Sequence, residues 1–362
     1  MLNKHLWLKE WHGVRWIVVA LMLLFLYAQT GGLYLDADTW QEQYDYYQSD
    51  GFAKEQQQSP DDAKMSPKDV KLSLTLDHFA AGFPEDSYQP TYTMGQFYSG
   101  LSILVVILGL AMVSWERYTR KDHFSLAAPF KRSSMIIVKI LVGGLSIVVT
   151  YSISLWLGLQ HLFSVIPSEY IDLDMKKVYL GLIGNLGTFL LLFVLALFLG
   201  TIMGELMATI IVVVIFTMMP RYIYTIWVVL VQLLDPKLDS STLTNWTSYA
   251  NVFVIFGNTE FQYGPFIFQM LVLLLLGWGA VFFYKRNSIE KNGKVLMFSY
   301  LRIPSALFIS FAGMILITSF WINGNMDEMP SLLSFLVISL GSFLGCLFIC
   351  YMVLYRNTWV RR

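Results

Sequence analysis

Residues 178–200 read VYLGLIGNLGTFLLLFVLALFLG, a run of 23 residues without a single charged side chain. A helix needs about 20 consecutive apolar residues to cross the hydrocarbon core of a bilayer. Only helices and closed barrels can satisfy their backbone hydrogen bonds in that core. The stretch therefore predicts a transmembrane helix.

Similar runs recur along the 362-residue chain, which is 56% hydrophobic and only 14% charged. Soluble domains are about 25% charged. The composition therefore predicts an all-α polytopic membrane protein. We expect about eight transmembrane helices, at 15–31, 97–115, 136–160, 178–200, 205–221, 265–284, 303–322 and 332–355.

Loop charges orient these helices. If the N-terminus is cytoplasmic, the segments 1–15, 116–139, 285–302 and 356–362 share that side and hold 17 of the 25 Lys and Arg residues. Cytoplasmic loops of membrane proteins are enriched in Lys and Arg. Both termini, including the tail 356–362, are therefore predicted to be cytoplasmic.

Three segments between or before the spans have their own predicted character. Residues 1–14 mix aromatic and basic side chains and predict an interfacial elbow helix. Residues 222–264, after Pro220 and Arg221, predict an outer re-entrant or interfacial segment, because the span before them should end near Arg221. Residues 32–96 form an acidic extracytoplasmic segment.

Within that acidic segment two spacings predict local structure. One group of aromatic residues has helical spacing: Trp40, Tyr44 and Tyr47. One group of leucines alternates as in a short strand: Leu72, Leu74 and Leu76.

Signatures of catalysis are lacking in the sequence. The five histidines are scattered, and the spans carry almost no ionisable groups, which argues against an intramembrane enzyme or an ion-coupled carrier. Cys346 and Cys350 lie four apart on the last span and predict packing residues rather than a metal site. Glycine spacings predict close helix contacts, at Gly181, Gly184, Gly187, Gly341 and Gly345.

One cytoplasmic loop stands out: WERYTRKDHFSLAAPFKRSSMIIVK, residues 115–139. It predicts a short amphipathic helix from Arg117 to about Ala127 that stops before Pro129. Arg117, Arg120 and Lys121 are expected to face water or phosphate headgroups. Two interpretations stay open from the residues alone, namely a loop that only sets topology and a docking element for a soluble protein.

This loop resembles that of the permease subunits of ABC-2 type transporters. In that family a glutamate closes the second span, and a short coupling helix, an L-P-x-[ST]-R segment and a lysine at the start of the third span follow. Four positions match this pattern and two depart from it: Glu116, Pro129, Arg132 and Lys139 match, and Ala128 and Lys131 depart.

The layout of the whole chain is similar to the Ytr-type permeases of Gram-positive bacteria, which share a long first outer loop and two extra C-terminal spans. Their loop after span six tends to read E-x-x-G-x-x-x-x-F. The second cytoplasmic loop, 285–302, matches that pattern at Glu290, Gly293 and Phe298.

The resemblance implies a permease, an exporter of the bacterial cytoplasmic membrane, driven by separate ATPase subunits. Those subunits would bind ATP and Mg²⁺, so this chain is expected to be no enzyme and to bind no cofactor or metal. Further expected partners are membrane lipids and a second permease chain, identical or related, but no nucleic acid. The implied coupling interface comprises Glu116, Arg117, Arg120, Lys121, Phe124, Pro129, Arg132 and Lys139.

A second function stays open from the residues. The acidic segment 32–96 is polar and lies outside the membrane in the predicted topology. The chain would then be a membrane sensor or assembly protein that binds an extracellular ligand through this segment.

Overall fold

The computed structural model describes residues 4–58, 65–75, 99–127, 129–171, 175–234, 263–287, 293–324 and 331–359. Within these ranges the secondary structure is helical, apart from one isolated β-bridge between Met203 and Leu296. The all-α prediction is therefore confirmed for the described part of the chain.

The described ranges contain the following helices. In chain order they are α1 (Lys4–Phe25), α2 (Gly31–Tyr47), α3 (Asp50–Gln58), α4 (Pro67–Leu74), α5 (Ser99–Leu110), α6 (Glu116–Tyr118), α7 (Asp122–Ala127), α8 (Arg132–Val165), α9 (Met175–Ile202), α10 (Leu206–Leu234), α11 (Tyr263–Lys285), α12 (Arg302–Gly324) and α13 (Leu332–Trp359). Two π-helical turns, Leu26–Thr30 and Ala111–Trp115, join α1 to α2 and α5 to α6.

Seven helical segments in the described ranges are long and apolar enough to cross a membrane. They correspond to every predicted span except the one at 205–221. The chain is thus a multi-pass helical membrane protein.

The remaining predicted span differs from expectation. Helix α10 opens with a shorter apolar stretch, Leu206–Thr217, and continues as a single helix to Leu234. The helix therefore passes Arg221 without a break, so the re-entrant alternative for the residues after 221 is wrong, and the interfacial alternative stays a prediction. A proline removes one backbone donor from a helix, but packing of Met219 and its neighbours against α12 holds the helix together. The remainder of that predicted segment, 235–262, lies outside the described residues.

The N-terminal segment is continuous with the first span. Helix α1 passes the boundary predicted at residue 14 without a break, and the helical backbone extends to Tyr47. At about 1.5 Å per residue, this rod of 44 residues is about 66 Å long. It reaches well beyond a hydrocarbon core of about 30 Å.

The far end of the rod packs through aromatic rings. Trp40 stacks on Tyr44 at 5.1 Å between ring centroids, and both contact Tyr170 in the connection between α8 and α9. The Trp40 indole N–H donates to the carbonyl of Leu74 at 2.8 Å. The predicted helical spacing of these aromatic residues is confirmed.

The predicted strand at Leu72 and Leu74 is wrong, because both residues lie in α4, and Leu76 lies outside the described residues. The start of α4 explains the difference. Asp69 Oδ2 accepts a hydrogen bond from the Ser66 backbone N–H, and the Ser66 hydroxyl accepts one from the Asp69 N–H. This reciprocal capping box is a local helix signal, and it prevails over the alternating leucines.

Helix α9 forms the centre of the bundle, because it is the most buried of the seven long apolar helices. Glycines let its neighbours approach closely. A Cβ at Gly109 of α5 would lie 2.6 Å from the Phe193 carbonyl oxygen, and one at Gly143 of α8 would overlap the Phe193 ring. A Cβ at Gly187 would likewise lie 2.7 Å from Met270 Cε, so the close contact predicted from its spacing is formed.

Helices α12 and α13 pack mainly on each other at the edge. A Cβ at Gly313 would lie 2.6 Å from Cys346 Sγ, so the expected packing role of Cys346 is confirmed. Among the described residues, a Cβ at Gly341 or Gly345 would meet nothing within 4 Å, so the predicted close contact is not formed with this part of the chain.

Candidate functional site

One end of the bundle carries a row of exposed lysines, and we call it the basic end: Lys4, Lys121, Lys131, Lys285 and Lys294. The loops that join α6, α7 and α8, the turn between α9 and α10, and the segment between α11 and α12 meet there. The candidate site lies beneath these loops.

At its centre is Lys139, whose side chain is only 1% exposed. The ammonium nitrogen lies 2.6 Å from Glu10 Oε2 on α1 and 2.7 Å from Glu116 Oε2 on α6. An isolated buried ammonium group would be strongly unfavourable, so both carboxylates are needed to compensate it. Three separate helices are thereby joined at one atom.

A second lysine balances the remaining negative charge of the two carboxylates. Lys9 Nζ lies 3.3 Å from Glu10 Oε1 and 3.7 Å from Glu116 Oε1, and it donates to the Ser125 hydroxyl at 2.6 Å. The Ser125 hydroxyl in turn donates to Glu116. We call Lys9, Glu10, Glu116, Ser125 and Lys139 the charged cluster. Two cations and two anions balance in it, and Ser125 of α7 is bound to the same network.

Helical periodicity explains how Glu10 comes to be buried. The buried side of α1 consists of Leu6, Glu10, Val14, Val18, Leu21 and Phe25. This spacing of three and four residues defines one helix face. Glu10 thus lies on the packed stripe, next to α8.

Arg117 points away from the charged cluster and toward α9. Its Nη1 donates to the carbonyls of Gly200 and, at 2.7 Å, of Met203. These carbonyls lie at the C-terminal end of α9, where orphan acceptors and the helix dipole favour a cation. Arg117 therefore caps the central helix of the bundle from the α6 side.

The second basic loop is attached to the same turn. Met297 N–H donates to the Ile202 carbonyl at 3.0 Å, and Gly204 N–H donates to the Lys294 carbonyl at 3.1 Å. Gly293 N–H donates to the Gly204 carbonyl at 3.1 Å, and its φ of +81° suits glycine. The two loops therefore meet through the end of α9.

A further link connects the start of α8 to the end of α11. Arg132 Nη1 donates to the Asn287 carbonyl at 2.5 Å. Phe298, from the second loop, is buried against Phe283 of α11, with 5.2 Å between ring centroids. The predicted motif positions Arg132 and Phe298 thus both bind the loops to the bundle. Glu290 lies outside the described residues.

The coupling helix differs from its prediction. The segment from Arg117 to Ala127 is not one helix, because it breaks between α6 and α7 at Arg120, whose φ is +55°. A non-glycine residue in this region is disfavoured by about 1–2 kcal/mol. The hydrogen bonds from the Arg120 N–H to the Arg117 carbonyl and from the Lys121 N–H to the Glu116 carbonyl maintain the break, as in a Schellman motif.

The predicted interface residues fall into two groups. Arg120, Lys121 and Pro129 are exposed, as a docking surface requires. Arg117, by contrast, was expected to face water or phosphate, and it is buried. That prediction is wrong, because the ends of α9 provide acceptors that bind the guanidinium inside the bundle.

Glu116 and Lys139 are also inside, in the charged cluster, and not on a surface. Phe124 belongs to α7, but its side chain lies outside the described set. Lys9, Glu10 and Ser125 were not predicted. One signal could have revealed Glu10: it is the only acidic residue among the first 35, and it lies in register with the apolar stripe of α1.

The site has the chemistry of a structural joint. Within the described ranges there is no group of three or more His, Cys, Asp or Glu side chains that could hold a metal ion. The charged groups of the cluster are bound to each other.

Comparisons with known proteins found no matching family model, no matching curated protein and no matching solved structure.

Proposed function

We propose that this chain is the membrane permease subunit of an ATP-binding cassette transporter, an exporter driven by a separate ATPase that docks on the loops of the basic end. The observation that carries the proposal is the double attachment of residues 116 and 117. Glu116 is tied to α1 and α8 through Lys139, and Arg117 is tied to α9. A loop that merely sets topology has no need of such anchors.

This arrangement suits force transmission. Ordered interiors deform little, so a displacement of a packed element is passed on as rigid-body movement. A partner that pushes on the turn at Arg120 would act through the charged cluster on α1 and α8, and through Arg117 on α9. The second loop would move with them, because it binds the same turn after α9.

The surface above the anchors offers a contact for an acidic partner. Arg120, Lys121 and Lys131 are exposed there, and Tyr118 beside them is 67% exposed. Opposite charge accelerates association and selects the partner. In this proposal the ATPase carries the acidic groove and binds ATP and Mg²⁺, and two permease chains, identical or related, complete the transporter in the bacterial cytoplasmic membrane.

The test is co-purification in mild detergent, read out as Mg²⁺-dependent ATP hydrolysis in the captured complex. The variant Arg120→Glu/Lys121→Glu/Phe124→Ala should lose most of this activity while its thermal unfolding stays unchanged. A matched control reverses two exposed charges at the other end, Lys54→Glu and Lys68→Glu, and should keep the activity.

Two results would contradict the proposal. The first is a purified chain with which no ATP-hydrolysing subunit associates. The second is an equal loss of associated activity in the triple variant and in the control.

One observation favours the alternative, a sensor or assembly protein with a ligand outside. The helical rod Lys4–Tyr47 joins the acidic segment directly to Glu10 in the charged cluster. A ligand on the acidic segment could therefore act on the basic end. Deleting residues 50–75 should then abolish signalling. Both proposals expect any associated ATPase to remain in this deletion, so the loss of signalling is the readout that separates them.

A further inference from the structure

A groove runs between α8 and α9 in the half of the bundle remote from the basic end. It encloses a volume of about 280 Å³. Its lining is mainly apolar and aromatic, and it includes Tyr151, Trp156 and Phe163 of α8 with Tyr179 and Ile183 of α9. Neither the charged cluster nor the second loop touches it.

The groove matches the depth of one leaflet. Its α8 lining extends from Tyr151 to Phe163, which is about 18 Å along a helix at 1.5 Å per residue. Half of a hydrocarbon core of about 30 Å is about 15 Å. Because α8 ends at Val165 and α9 begins at Met175, one end of the groove lies at the end of these spans.

The mouth of the groove opens toward the membrane. Trp156 is 61% exposed and Ile183 is 50% exposed, and both belong to helices that are long and apolar enough to span the bilayer. Side chains exposed on such helices within the hydrocarbon region face lipid tails. Only a molecule dissolved in the bilayer can therefore enter from this side.

The floor of the groove favours an apolar occupant. Tyr151 is buried, and its hydroxyl already donates to the Leu182 carbonyl at 3.0 Å, so it has no need of a polar ligand. The polar lining residues Ser152 and Gln160 lie on exposed positions of α8. Gln160 is the nearer of the two to the end of the span, where lipid headgroups begin.

We propose that this groove binds one acyl chain of a membrane phospholipid from the leaflet opposite the basic end. The chain lies between α8 and α9 with Trp156 and Ile183 at its sides, and the headgroup lies beyond Gln160. This site needs no ATPase partner, so the experiment below tests it separately from the permease proposal.

The experiment uses the full chain in phosphatidylcholine vesicles that contain a phosphatidylcholine with a photoactivatable diazirine in one acyl chain. After irradiation, labelled peptides are mapped by mass spectrometry. We expect labelling to concentrate on residues 151–163 and 179–186, well above the lipid-facing side of α11. A parallel arm uses a diazirine fatty acid without a headgroup.

Two variants test the groove itself. Ile183→Trp should fill it and reduce labelling of the groove peptides to the level of α11. The control Leu274→Trp adds the same ring at a site that is 65% exposed on α11 and outside the groove lining, and it should leave the groove labelled. Ser152→Phe fills the groove from the α8 side at an exposed position, and it replaces Ile183→Trp as the test variant if Ile183→Trp fails to fold.

Each contrary outcome overturns the proposal. Equal labelling of the groove and of α11 would mean ordinary lipid contact. Undiminished labelling in both filling variants would place the lipid elsewhere. Labelling by the fatty acid alone would exclude a phospholipid as the occupant.

Discussion

Replacing Lys139 by methionine should destabilise the protein far more than any exposed lysine does. Methionine keeps the unbranched, flexible shape of the side chain but removes the charge that Glu10 and Glu116 share. Lys9 would remain, but it is 39% exposed and further from both carboxylates. The variant therefore leaves two buried carboxylates facing one another.

The magnitude follows from the geometry. Both acceptor oxygens lie within 2.7 Å of the same nitrogen, so they are no more than about 5 Å apart. At an effective dielectric constant of about 20, two like charges at that distance repel by about 3 kcal/mol. Removing one partner of a buried ion pair costs about 3–5 kcal/mol. The two figures agree, and at about 2 °C per kcal/mol for a large chain they predict a fall in Tm of about 6–10 °C.

The assay is thermal unfolding of the purified protein in one detergent at neutral pH. The matched control is Lys131→Met, an exposed lysine at the start of the same helix, which should change stability by no more than about 0.5 kcal/mol. The triple variant Glu10→Gln/Glu116→Gln/Lys139→Met removes all three charges. It should recover most of the loss, because neutral groups can replace a buried ion network at little cost.

Two outcomes would refute the reasoning. If Lys139→Met unfolds at the same temperature as Lys131→Met, the cluster does not hold the helices together. If the triple variant is no more stable than the single one, the loss comes from packing and not from uncompensated charge.

Three further predictions concern other parts of the chain. Gly143→Ala should destabilise the protein by about 1–3 kcal/mol in thermal unfolding, because its new Cβ would overlap the Phe193 ring. The control Gly144→Ala makes only a 3.8 Å contact and should be neutral or slightly stabilising. Equal effects of the two substitutions would contradict the close packing at Gly143. Arg120→Gly should raise stability by about 1 kcal/mol, because glycine accepts its positive φ, yet weaken association with an ATPase; a fall in stability would show that the turn needs the arginine side chain. Hydrogen bonds at the start of α4 lower the pKa of Asp69, so its stabilising effect is present above the unfolded pKa and is lost as the pH falls through the lower folded pKa. The protection of the α4 amides, measured relative to their intrinsic exchange rates at each pH, should fall there in the wild type and not in Asp69→Asn.

The positions of the spans could be predicted well, because every helix that crosses the hydrocarbon core needs about 20 consecutive apolar residues. The predicted span 136–160 lies inside Arg132–Val165, and 178–200 lies inside Met175–Ile202. The end of the helix at α10 was predicted wrongly, because contacts between residues far apart in the chain decide it. Proline is a local signal, and contacts with α12, which are distant in sequence, decided whether the helix continued.

The site could be predicted only in part. Glu116 and Lys139 were identified as a motif, but their contact joins residues 23 apart in the chain, and no spacing rule applies across two helices and a turn. Arg117 was misplaced because a basic residue in a polar loop is usually solvated. Its acceptors, at the end of α9, lie more than 80 residues away.

The two π-helical turns bear on how the chain tolerates changes in length. Each five-residue turn accommodates one more residue than an α-helix would need, so a single deletion within Ala111–Trp115 could restore regular α-helix. Each residue of an α-helix turns the chain by about 100°. Removing the extra residue of the turn would therefore leave Glu116 and Arg117 facing Lys139 and α9, whereas deleting one residue from the regular helix Ser99–Leu110 would rotate them away by about that angle. Natural relatives that lack one residue within Ala111–Trp115 should therefore keep a lysine at position 139, whereas relatives that lack one within Ser99–Leu110 should differ there.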